Sequence, residues 1–217
     1  ILGGENTFTG DLVVLSGSTT TLTGSVDGNV GVNAGGELVL GSAERIADGA
    51  NLNVDGILNT NGEETVTGFT ATGTINGSGT VSALTTNLNG ATVNANLGTG
   101  ALTTEGATDL NGTSAADTVT VAGGTLTLDG ALTNNTATVN VDAGTLAANG
   151  TVAASSVNVA EGAALTTGEA ERLNDGVALT ADGTVSLGGN ETIGDLSGSG
   201  SIANNGNALT VNQTSDQ

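Results

Sequence analysis

Thr118-Val119-Thr120-Val121-Ala122-Gly123-Gly124-Thr125-Leu126-Thr127-Leu128-Asp129-Gly130 holds the pattern that decides the fold. Val119 and Val121 alternate with threonines, a Gly-Gly pair intervenes, Leu126 and Leu128 alternate again, and Asp-Gly closes the stretch. Period two is the mark of a strand with one buried face, because successive side chains point to opposite sides. The pattern runs outward in both directions: Leu12/Val14, Leu38/Leu40, Leu52/Val54, Val139/Val141, Val157/Val159, Val185/Leu187 and Leu209/Val211. Asn-Gly and Asp-Gly pairs separate these runs, among them Asn76-Gly77, Asn111-Gly112, Asn149-Gly150, Asp55-Gly56 and Asp182-Gly183. Such pairs suit turns that need positive φ. Helical 3.6 spacing is absent; the best candidates for a single helical turn are Ala43 to Ile46 and Ala170 to Leu173.

Composition then selects among all-β architectures. The 217 residues include 37 Gly, no Pro, no Cys, no Trp and two Phe, Phe8 and Phe69. A sandwich of this size fills the gap between its sheets with bulky aromatics, which are missing here. A parallel β-helix, or β-solenoid, has a thin core of stacked Val, Leu, Ile and Ala, and Asn can ladder between its coils. Absence of proline fits, since each strand pairs on both sides and needs its N–H. The expectation is one β-solenoid over residues 1-217, of roughly ten coils. Disorder, which the net charge of -20 would favour, is opposed by 11% charged residues and by the sustained alternation.

An internal repeat supports the solenoid. Val30 to Val66 aligns without gaps on Val157 to Ile193, at an offset of 127, with 16 identities in 37 positions. Both arginines of the chain fall at equivalent sites, in Ala43-Glu44-Arg45 and Ala170-Glu171-Arg172, followed by Asp48-Gly49 and Asp175-Gly176. Glu64-Thr65 and Glu191-Thr192 also match. Further on, Gly77-Ser78-Gly79-Thr80-Val81 resembles Gly198-Ser199-Gly200-Ser201-Ile202 at an offset of 121. That places the repeats at 30-81 and 157-202, with about six extra residues near Gly68 to Thr74 read as a longer turn. Glu44, Arg45, Asp48, Gly49, Glu171, Arg172, Asp175 and Gly176 form the repeat's structural motif. Each arginine is expected to make an ion pair or to donate to turn carbonyls.

The stretch from Glu171-Arg172-Leu173-Asn174-Asp175-Gly176 through Asp182-Gly183-Thr184-Val185-Ser186-Leu187-Gly188 to Gly198-Ser199-Gly200-Ser201-Ile202 resembles the autotransporter-associated β-strand repeat. That family's pattern is Glu-Arg-Leu-x-Asp, a Gly-x-Leu-x-Leu-x-Gly strand, then Gly-x-Leu-x-Gly-x-Gly. The resemblance covers roughly a third of the chain and is weaker in the copy that starts at Glu44. It implies a right-handed β-helix in the passenger of a secreted Gram-negative surface protein, acting as an adhesin or aggregation stem in biofilm. The chain starts at Ile1 without a basic leader, which is read as a removed leader or an excerpt.

The same residue inventory excludes much chemistry. No Cys means no disulfide or thiolate; no His means no imidazole base; no Lys means no Schiff base or Walker-type clamp. A charge of -20 repels nucleic acid, and no apolar run approaches the ~18 residues of a membrane span. Glu63-Glu64, or Asp48 with Asp55, could supply a glycosidase pair. Without aromatic platforms, however, the expectation is no enzyme. The segment from Asn51 to Gly62 starts like an EF-hand but ends without its glutamate, so no cofactor is expected beyond weak surface Ca²⁺. Expected partners are further copies stacked end to end into a filament, a longer parent solenoid, or a cell-surface or matrix polysaccharide. A carbohydrate- or ice-binding face would need a regular, solvent-facing rank of like residues, which the sequence does not show. The irregular spacing of Thr7/Thr9, Thr19/Thr21, Thr70/Thr72, Thr118/Thr120, Thr125/Thr127 and Thr136/Thr138 argues against one.

Overall fold

The computed structural model describes residues 1–6 and 10–213, so Phe8 and the Thr7/Thr9 pair lie outside the described residues. The described chain is all β, a parallel solenoid of about 11 turns with no helix. Within it every pairing between neighbouring strands is parallel, as a chain winding in one sense requires. Eleven strands stack in one face and eleven more form the backbone of a 15-stranded sheet. One coil illustrates the path: Thr118–Val121 on the first face, Thr125–Leu128 on the second, then Ala131–Leu132 on a short third face. Two strands, Glu63–Ala71 and Thr80–Asn89, run without a break from the third face onto the first.

Alternation produces the core directly. On the first face Leu102, Val119, Val139, Val157 and Leu179 lie in one inward file, each buried. Leu38, Leu58, Ile75, Val93, Leu110 and Leu128 form a comparable file on the second face. Each fully buried Val or Leu contributes about 1.5–3 kcal/mol relative to exposure. Phe69 is accommodated in the first-face file between Leu52 and Thr86. The expected amide ladder is present at a corner: Asn111 donates to Asn94 and Asn94 to Asn76, both at 2.7 Å, and Asn149 donates to Asp129 at 2.8 Å.

Coil length varies while register holds. First-face partners run Leu12, Val30, Leu52, Phe69, Thr86, Leu102, Val119, Val139, Val157, Leu179 and Leu196. The shortest step joins Thr86 to Leu102, and the longest join Val30 to Leu52 and Val157 to Leu179. Those two longest coils are the ones that carry the arginines.

Three local expectations are corrected. Ala43–Ile46 and Ala170–Leu173 are non-helical corners, with Glu44 and Glu171 at φ 49° and 52°. Residues Gly68 to Ala71 are strand, paired with Asn51–Val54, not part of a longer turn. Phe69 pairs with Leu52 as Leu196 pairs with Leu179, and Thr74 with Ile57 as Ser201 with Thr184. The offset of 127 therefore continues through Ile75 and Ile202 with no insertion. The similar Gly-Ser-Gly runs that suggested 121 occupy different coil positions. Finally, Gly112, Gly130 and Gly150 are not among the glycines at positive φ. They stack at one corner, where a Cβ on Gly130 would fall 1.8 Å from the Gly112 carbonyl oxygen and one on Gly150 1.5 Å from that of Gly130. Close coil approach, rather than turn φ, demands glycine there.

Candidate functional site

The repeated arginine corners are built alike. Arg45 donates from Nε to the Ala43 carbonyl at 2.9 Å and from Nη1 to the Thr23 carbonyl of the preceding coil at 3.0 Å. Arg172 does the same to Ala170 at 3.1 Å and Asn149 at 3.0 Å. The carbonyl alternative therefore prevails. The single ion pair among the described residues is Arg172 with exposed Glu169 at 3.9 Å, not with Glu171 or Asp175. Glu44 and Glu171 instead accept from the hydroxyls of Thr65 and Thr192, at 3.1 and 3.2 Å. Asp48-Gly49 lies within a turn closed by the Ala50 N–H donating to the Ala47 carbonyl, and Asp175-Gly176 within one closed by Val177 N–H and Asn174 carbonyl.

The decisive side chain at each corner was not in the predicted motif. Glu64 and Glu191 point inward and are each 1% exposed. Glu64 accepts the backbone N–H groups of Arg45 and Ile46, and Glu191 those of Arg172 and Leu173. Where the bend draws these N–H groups away from the ladder, a carboxylate from the next coil replaces the missing carbonyls. Burial pushes the Glu64 carboxyl up to about 7, outweighing the two N–H bonds that favour its charge. Glu191 is raised for the same leading reason. A sequence signal existed: both are acids at an inward period-two position, before Val66 and Ile193, and both recur at the offset of 127.

The outward side of the first face has an order that the sequence spacing conceals. Its register aligns Asn53, Thr70, Asn87, Thr103, Thr120, Asn140, Asn158 and Thr180 in one file. Beside it runs Asn51, Gly68, Thr85, Ala101, Thr118, Thr138, Ser156 and Ala178. The rank is regular in register and polar, though it mixes Asn with Thr and is not one of like residues. Unequal corners absorb the irregular sequence spacing and return each strand to the same register. No member of either file is charged, in a molecule of net charge -20. The second face is different, with Glu37 and Asp109 in its outward file. At the ends of the first-face strip the side chains bond to one another, as in Asn158 to Asn140 at 2.9 Å and Thr180 with Ser197 at 3.2 Å. The strip dips at Thr70, Asn87 and Thr103 into a hollow of 230 Å³. A larger depression of 350 Å³ lies at the preceding corner, over Leu84 and between Asp48 and Asp117.

No protein-family model, curated protein or solved structure matches this chain. Among the described residues no three acidic side chains converge to hold a metal ion. Among the described residues no helix is long and apolar enough to cross a membrane.

Proposed function

We propose that the chain is the rod-forming stem of a secreted bacterial surface protein, holding an adhesive or aggregating region away from the cell. The observation that carries this reading is the unbroken parallel ladder, in which backbone hydrogen bonds run along one axis through all eleven levels. The two arginine corners support it, since each arginine donates to the alanine carbonyl two residues back and to a carbonyl of the preceding coil, as a repeated brace does and a single active site does not. The likeness of the Glu171 to Ile202 stretch to the autotransporter-associated repeat supplies the cell-surface setting. This reading assigns no catalytic step, and it gives the two buried carboxylates, Glu64 and Glu191, a bracing role through their bonds to backbone N–H groups.

The test is electron microscopy of two proteins. The intact chain should give rods of roughly 50 Å, from eleven levels at the 4.7–4.9 Å strand spacing. Deleting Asn53 to Leu179 joins Leu52 to Thr180 in register and removes seven levels, so the rod should shorten by about 34 Å yet stay folded. When the chain is displayed on beads with a binding module fused at its end, that module should keep its affinity and lose only reach. A deletion that unfolds, or particles that are not rods, would overturn the stem.

A further inference from the structure

The uncharged strip on the first face sits in the middle of a strongly acidic molecule. In its central rungs the side chains of Thr70, Thr85, Asn87, Thr103, Thr118 and Thr120 have no hydrogen-bond partner among the described residues. Their hydroxyls and amide recur once per level at the 4.7–4.9 Å strand spacing. The hollow over Thr70, Asn87 and Thr103 lies within this unspent stretch, with Glu105 at its rim as a further acceptor.

We infer that this strip binds a linear, uncharged polysaccharide laid along the solenoid axis. Four considerations select that partner. The strip is about 34 Å long but only two outward residues wide, roughly 7 Å, which suits one extended polymer. A few hundred Å² falls short of the ~800 Å² per partner of a stable protein interface, so a second copy is disfavoured. Charge excludes polyanions, because the acids at the corners, such as Asp55, Glu105 and Asp182, flank the strip on a molecule of net charge -20. Free hydroxyls and an amide offer both donors and acceptors, which match sugar hydroxyls and not an apolar surface. Ordered ice is the remaining hydroxyl lattice, but asparagine at Asn87 and Asn140 interrupts the uniform hydroxyl rank it would need. The proposal goes beyond the stem reading, and neither rests on the other.

The experiment is a depletion assay of the intact chain on insoluble cellulose and β-1,3-glucan, with alginate as the anionic comparison. Binding to an uncharged glucan should persist at raised salt, since no ion pair is involved. The double substitution Asn87→Ala with Thr103→Ala should weaken it about tenfold or more without moving the thermal midpoint, because both side chains point outward. Thr92→Ala with Thr127→Ala, on the outward file of the second face, should leave it unchanged. Absence of binding to every uncharged glucan overturns the proposal. So does binding that survives the first-face substitutions, binding to alginate alone, ice shaping in place of glucan binding, or self-association through the same residues. Rods that fail to bind leave the stem intact; glucan binding by particles that are not rods removes the stem and keeps this site.

Discussion

The carboxylate of Glu64 accepts the backbone N–H of Ile46 at 2.6 Å, one coil away, and stands where the ladder would otherwise supply a carbonyl. The same oxygen-for-carbonyl replacement recurs between Glu191 and Leu173 at 3.1 Å. Replacing Glu64 by Gln keeps the shape but turns an N–H donor toward backbone N–H groups. At pH 8, Glu64→Gln should cost about 1–3 kcal/mol, the penalty for a buried group left without its bond. Urea unfolding checks this.

Acidity should strengthen the fold. Below pH 4.5 Glu64 is protonated in both states. Between 4.5 and about 7 the unfolded chain ionises first, so it binds fewer protons than the folded chain and stability falls as pH rises. Above about 7 the loss is complete. The thermal midpoint should therefore rise on going from pH 8 to pH 5. Easing of the general negative charge acts in the same direction. Glu64→Gln isolates the Glu64 share, because its profile should lose that step and keep the contributions of the raised Glu191 and of the general charge.

Gly130 tests the stacked corner. A methyl group there falls 1.8 Å from the Gly112 carbonyl oxygen, which is backbone and cannot move aside. Gly130→Ala should destabilise by about 3 kcal/mol or more, at the severe end for single substitutions. Gly123→Ala is the matched control. Nothing lies within 4 Å of its added Cβ and its φ is ordinary, so its effect should stay within about 0.5 kcal/mol.

Thr104 offers a change in the opposite sense. It occupies an inward first-face position between Leu88 and Val121, is 1% exposed, and its hydroxyl has no partner among the described residues. Thr104→Val keeps the branched shape and removes the orphaned hydroxyl. An increase in stability of about 1 kcal/mol is expected, read as a raised urea midpoint at unchanged slope.

Strand identity could be read from residue order because alternation is local: Val119/Val121 and Leu126/Leu128 each announce a buried face within one short run. The long-range repeat could be read because two rare arginines anchor it. What stayed hidden depended on distances between coils. The step from Asn87 to Thr103 is shorter than the step from Thr120 to Asn140, so no fixed period reveals that all four share a file. Their alignment is decided by corner geometry, which the strand pattern does not encode. Glu64 was hidden because an acid at an inward position reads as an interruption of the pattern until the bent N–H groups of Arg45 and Ile46 are seen beside it. The false offset of 121 came from glycine-serine runs, whose likeness is compositional and carries no register.

The short coil from Thr86 to Leu102 and the long one from Val30 to Leu52 each occupy one strand spacing along the axis. Height is thus counted in levels and girth in chain length, and the two are independent. A corner can gain a loop, a sequon or a whole binding hairpin without lifting anything above it, while removal of one complete coil lowers everything above it by a fixed step. The molecule behaves as a graduated ruler whose marks stay evenly spaced however far each one projects. Reach from a surface and decoration along the way can therefore change separately, by different kinds of mutation.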